Sequence, residues 1–234
     1  MSQSNHMVYA FIDERFEDYL THSRFIVGCS FFNQNRWDAQ YQNAISIDKA
    51  RLKHRIQAIT QILQNSGGFA VLTYADVPIP LAQAREIDGT EDIPLMSRRD
   101  NLWSQLVLFT VGTAVACLHG VPVAKLEIDV FYDPKSLKAE HRLAFTKVLQ
   151  DDLPQIARDA TKDLGSTALV YLRRIEEVPK RKSSEQSNAF QEGINVSHHL
   201  CSQSKHLIEQ GSGAGSIIVR NYTDEIIRTI SKFL

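Results

Sequence analysis

The sequence lacks an excess of either charge. Across 234 residues, 26 Lys plus Arg stand against 27 Asp plus Glu, a formal net charge of -1. No global field therefore draws the chain toward nucleic acid or anionic lipid, and any such binding needs a local patch. Cysteine is scarce as well. Cys29, Cys117 and Cys201 are an odd number in a chain long enough to bury a core without covalent staples. No basic-then-apolar leader opens the sequence, which makes a reducing cytoplasm the expected compartment. Internal repeats are missing too. What is present is an ordinary globular balance, 43% apolar and 23% charged, which excludes a disordered or collagen-like chain. The length suits a tail over residues 1–6 and a single domain over residues 7–234.

One further absence needs arbitration: residues Asn101 to Ala124 contain no Lys, Arg, Asp or Glu. The apolar run Leu102 to Leu118 is 17 residues long, at the bottom of the membrane-spanning range, and carries Ser104, Gln105, Thr110 and Thr113. A helix buried in a soluble core is expected, with no membrane crossing.

Alternation predicts a strand over Val8 to Asp13, a second over Arg24 to Phe32, and a weaker third near Tyr41 to Ile47. Asp48 is placed to cap a helix whose apolar residues Leu52, Ile56, Ile59 and Leu63 follow three-and-four spacing. Phe69 to Ala75 reads as a strand covered on both faces, followed by Asp76. After the uncharged helix, Ala124 to Tyr132 is a further strand bearing Asp129, with Asp133 just beyond. Lys138 to Leu164 reads as helix, Thr167 to Ile175 as strand, and 179–187 as a mobile loop. Helical patterns resume over Asn195 to Gln210, break at Gly211 to Gly215, and finish in Ser216 to Leu234.

This order fits a mixed sheet in which the first strand lies beside, and parallel to, the strand after the first helix. Asp13 and Asp76 would then leave the same sheet edge, roughly 5 Å apart at the backbone, where open α/β sheets bind ligands. Two carboxylates so placed repel unless a cation lies between them. Mg²⁺ or Mn²⁺, with oxygen ligands, is the ordinary choice for polarising a phosphodiester and ionising a water. Taken singly, each aspartate reads first as a turn or cap residue, and only the ordered set points to a site.

The run Phe11-Ile12-Asp13-Glu14 resembles the opening strand, ending Ile-Asp-Glu-Ser-Gly, of a family of uncharacterised bacterial RNase H-like proteins. Here Arg15 replaces the small polar residue. The second strand, Phe25-Ile26-Val27-Gly28, is similar too, as is the strand ending near Asp133. The family finishes in a Gln-x-Ala-Asp helix, to which Asn221-Tyr222-Thr223-Asp224 is similar. The resemblance implies an RNase H-like α/β fold, a mixed β-sheet flanked by α-helices. It implies an acidic cluster of Asp13, Glu14 and Asp224, completed by Asp76 or Asp133. It further implies metal-dependent cleavage of nucleic acid by one or two Mg²⁺ or Mn²⁺ ions held by Asp13, Asp76, Asp133 and Asp224, leaving a 3′-hydroxyl and a 5′-phosphate. Read from the residues alone, Asp224 fits a salt-bridge row with Arg220 and Arg228 as well as a metal site. Glu14 points away from Asp13 if the strand continues.

Two function classes remain open from the sequence: a metal-dependent nuclease, and a catalytically silent module binding nucleic acid, a protein partner or a second copy of itself. His198, His199, Cys201 and His206 have the chemistry of zinc ligands but not the spacing, and are expected on a polar helix surface. Gly211 to Gly215 lacks the Lys-Ser/Thr end of a phosphate loop and reads as a hinge, while Lys180-Arg181-Lys182 reads as solvent face or phosphate contact.

Overall fold

In the computed structural model the described residues are 6–44, 47–48, 50–51, 54–78, 98–118, 125–135, 141–161, 169–179, 187–211 and 215–231. The expected loop over 179–187, with its Lys180-Arg181-Lys182 run, lies outside them except for Pro179 and Ser187.

The chain begins with a long hairpin of β1 (His6–Asp18) and β2 (His22–Asn33), paired from Val8↔Asn33 to Asp18↔Ser23. Asp13 is therefore inside a strand and does not end one. The ladder to β2 keeps Glu14, Arg15 and Glu17 extended although the apolar alternation has faded. The third strand expected near Tyr41 is replaced by helix. Asn33 caps α1 (Gln34–Gln40) by accepting from Arg36 N–H, Trp37 of that turn is fully buried, and Tyr41–Ala44 continues as a 3₁₀ turn. Of the helix expected after Asp48, Arg55–Asn65 forms α2, while Leu52 lies outside the described residues.

There follow β3 (Phe69–Pro78), α3 (Arg98–Leu118), β4 (Lys125–Tyr132), α4 (Arg142–Thr161) and β5 (Leu169–Glu177). The chain closes with α5 (Ala189–Ser202), α6 (Ser204–Gln210), β6 (Ile217–Asn221) and α7 (Thr223–Ser231). The helix expected from Ser216 yields its first residues to β6, because Ile217, Ile218 and Val219 find an open edge on β3 and pair there in parallel.

The six strands form one mixed sheet in the order β5-β4-β1-β2-β3-β6. β1 is antiparallel to β2, and β2 to β3, while β4 lies parallel to β1 on its other side. The fold is thus the α/β class expected, a mixed sheet flanked by helices. The expected neighbour relation is wrong, because β2 separates β1 from β3. Asp13 is level with Gly28 and Leu72, so Asp76 lies two strands across and four residues further along. At ordinary strand spacings that is roughly 10 Å sideways and about 13 Å lengthwise.

Both faces of the sheet are covered. On one, Ala10, Ile12, Val27, Val71 and Val130 pack against α3, α4 and α7. Leu102, Trp103, Leu106, Val107, Val111 and Val115 put most of the circumference of α3 into this core, which explains its lack of charge. Among the described residues no helix is long and apolar enough to cross a membrane. On the other face Tyr9, Phe11, Ile26, Phe32 and Leu72 meet α1, α2, α5 and α6. Asp13 belongs to this second face by alternation with Tyr9 and Phe11, and α5 is the helix that crosses above it.

Candidate functional site

α5 approaches the sheet closely because small residues line the contact. A Cβ on Gly28 would come 2.7 Å from Cys201 Sγ, and one on Gly193 would come 2.5 Å from the Phe11 ring. Between these points Ser197 Oγ donates to the Phe11 carbonyl at 2.7 Å and meets Ser30 Oγ at 2.7 Å, while Cys201 Sγ donates to the Asp13 carbonyl at 3.3 Å. The helix begins in a capping box: Asn188 accepts from Gln191 N–H and the Gln191 side chain returns a bond to Asn188 N–H. These contacts fix both the height and the rotation of α5.

In that orientation α5 and the sheet border an open cavity of about 320 Å³. Asp13 enters from β1, Asp133 from the end of β4, Asp48 from the segment after the 3₁₀ turn, and Glu192, Asn195 and His198 from α5. Val178, Pro179 and Ile194 supply apolar wall. Four carboxylates and no Lys or Arg line this space among the described residues. Asp13 is 6% exposed and its Oδ2 lies 2.8 Å from His198 Nδ1. Glu192 is 5% exposed, and its Oε2 is buried with no hydrogen-bond partner among the described residues. Asp133 Oδ1 accepts from Lys135 N–H in its own turn. At the cavity rim, Asp48 Oδ1 meets His199 Nε2 at 2.7 Å and accepts from Asn195. Burial pulls His199 below the usual imidazole range, against the opposing pull of Asp48. Burial would raise Asp48, but its bonds from His199 and Asn195 outweigh it and hold the carboxyl below its usual range.

The residues predicted from the sequence divide. Asp13 and Asp133 line one cavity, and it is Asp133 that faces it: Asp129 is buried under Arg173 and Arg174 at 3.3 and 2.9 Å. Asp76 does not join them. It is held by a two-pronged bond from Arg24, at 2.6 and 2.9 Å, on a different strand pair. Glu14 is excluded by strand alternation, since β1 does continue and turns it to the opposite face, toward α3. Asp224 is exposed in the first turn of α7, which packs on that opposite face through Ile226, so the late-helix motif is not beside Asp13. The helix there is α5.

The polar helix surface expected of His198, His199, Cys201 and His206 holds for the exposed His198 and His206 and is corrected for the other two. His199 and Cys201 are buried against the sheet, and burial pushes the Cys201 thiol well up. Glu192, His198 and Asp48 escaped the sequence reading of this site. A signal was available: Asn188 with Gln191 three residues on is a capping box, and starting the helix there puts Gln191, Asn195 and His198 on one face.

Oxygen donors gathered in one cavity suit a hard divalent cation, and Glu192 Oε2, buried without a partner among the described residues, is the atom that asks for one. Yet among the described residues no three His, Cys, Asp or Glu side chains are placed to hold one ion together. The donor chemistry fits; the donors have not converged.

No family model matches the chain, and no curated protein matches its sequence. Among solved structures it is similar to the crystal structure of the ribonuclease H2 from Pyrococcus horikoshii OT3, with a TM-score of 0.36 at 7% identity over 90% of this chain and 80% of that one. A likeness this loose carries no argument about chemistry, which rests on the cavity itself.

Proposed function

We propose that the chain is an RNase H-like, metal-dependent hydrolase of nucleic-acid phosphodiesters, with Asp13, Glu192 and Asp133 as the carboxylates that would hold Mg²⁺ or Mn²⁺. The observation that carries this reading is the burial, in one cavity, of Asp13 and of a Glu192 oxygen that has no partner among the described residues. A bound divalent ion would supply charge neutralisation and a water acidified toward neutral pH. The residues themselves do the rest. Asp13 and Glu192 are fixed by the sheet and by α5, the apolar wall of Val178, Pro179 and Ile194 limits water, and Asn195 and Gln191 present neutral hydrogen-bonding groups to a substrate. Among the described residues no Lys or Arg lines the cavity, so there the charge of a phosphate would be met by the metal. Activity should therefore be abolished by chelator.

The test is incubation of wild type and Asp13→Asn with labelled RNA and DNA, in Mn²⁺ or in chelator. The expected result is cleavage by wild type in Mn²⁺ only, with a loss of orders of magnitude in the variant. Equal cleavage by both, or cleavage in chelator, would overturn the reading.

A second reading, a catalytically silent module that binds nucleic acid or a protein partner, is favoured by the unconverged donors and by the engagement of Asp13 with His198. Absence of Mn²⁺ binding and of cleavage, with retained nucleic-acid binding, would select it.

A further inference from the structure

We infer that His198 is an internal placeholder that occupies the Asp13 carboxylate at rest, and that cation binding requires it to leave Asp13. The inference rests on the proposed metal site and names its regulation. Three observations meet at this point. Asp13 is buried, and its Oδ2 is bonded by His198 Nδ1 at 2.8 Å, so with the carboxylate ionised the ring nitrogen is the donor and one metal-facing oxygen is taken. Glu192 Oε2 stands buried in the same cavity with no hydrogen-bond partner among the described residues, a site one cation short. No three donors are yet placed around a common ion among the described residues.

The geometry makes the placeholder removable. The His198 side chain is 65% exposed, whereas Asp13 is fixed inside β1, so release is a rotation of that side chain away from Asp13 and from the His199 ring, which it meets edge-on at 5.7 Å. His199, the next residue, is the opposite case: it is buried and bonded to Asp48, and it holds α5 in place while His198 moves. The contact works through occupancy of the carboxylate. Nδ1 donates in the charged ring and in the corresponding neutral tautomer alike. Apparent affinity falls by the fraction of molecules in which Asp13 is released, so deleting the ring should remove that penalty.

The experiment is Mn²⁺ titration by calorimetry, at one fixed pH, of wild type, His198→Ala, His198→Leu and Asp13→Asn, each checked for an unchanged circular-dichroism melt. Mn²⁺ should bind roughly three- to ten-fold tighter to both His198 variants than to wild type, and not to Asp13→Asn. Binding to the His198 variants but not to wild type would support the placeholder more strongly. Wild-type binding that is equal or weaker in both variants would overturn the placeholder and leave the metal site standing, with His198 a ligand or bystander. Binding by none of them would overturn the metal reading and the placeholder with it.

Discussion

Ser197 on α5 donates its hydroxyl to the main-chain carbonyl of Phe11, two residues ahead of Asp13, at 2.7 Å. The same oxygen accepts from Ser30 N–H at 3.2 Å, so one side chain bonds the helix to both strands of the hairpin inside a fully buried contact. Ser197→Ala leaves the Phe11 carbonyl and Ser30 groups without that partner, at a cost of about 1–3 kcal/mol. Urea unfolding should show the loss as a lower midpoint with unchanged slope. An unchanged midpoint would mean that water replaces the hydroxyl.

Gly28 tests the same contact by volume. Its missing Cβ would lie 2.7 Å from Cys201 Sγ and 3.2 Å from the Ser197 carbonyl, both on α5. Gly28→Ala should therefore push the helix off the sheet and destabilise by about 1–3 kcal/mol. Because Asp13 is the direct partner of Gly28 across the hairpin, Mn²⁺ affinity should fall with it. A fully stable variant with unaltered Mn²⁺ binding would show that α5 does not set the cavity.

Strands β1 to β5 and the buried helix α3 were legible in the sequence because their signals are local, as in the alternation of Tyr9 to Asp13 and the 24 uncharged positions from Asn101 to Ala124, whereas β6 was read as helix. Strand order was not, since nothing in residues 69–75 says whether they pair with β1 or β2. The choice of β2 separated Asp76 from Asp13. Asp13 and Asp133 emerged from the sequence because each belongs to or follows a well-marked strand. Glu192 was missed because it becomes a site residue only through the rotation of α5, which is set by the contacts at Gly28, Gly193 and Ser197. Asp224 misled because its sequence neighbourhood is similar to a helix motif, while its helix packs on the wrong face.

Asp76 has a structural duty that separates it from the cavity in experiment. Its two oxygens accept from Arg24 Nε and a terminal guanidinium nitrogen, and Arg24 also lies over the Tyr19 and Tyr74 rings at 5.4 and 5.3 Å. Asp76→Asn breaks a half-buried charged pair and should cost about 1–3 kcal/mol. Mn²⁺ affinity and cleavage at temperatures well below unfolding should be unchanged, as in Asp224→Asn. A large loss of Mn²⁺ binding in either variant would restore the wider acidic cluster that the sequence suggested.

The final prediction concerns acid. His199 is buried, its Nε2 bonded to Asp48 and its Nδ1 without a partner among the described residues, so the neutral ring with its proton on Nε2 is the form the fold accommodates. Around it stand Asp48, Arg55 and His198, and burial outweighs the carboxylate to set the folded pKa below the unfolded value of about 6.5. Between those two values the unfolded chain binds the proton that the folded chain refuses, so stability falls as pH drops below about 6.5 and the decline levels off only under the folded pKa. Asp48, also shifted down, adds a second loss at more acidic pH, as it is protonated and its bond from His199 weakens. His199→Gln retains a polar group but cannot titrate, so its urea midpoint measured from pH 8 to pH 5 should fall less steeply than that of wild type. Parallel curves would place the acid sensitivity in other groups and leave His199 a neutral strut.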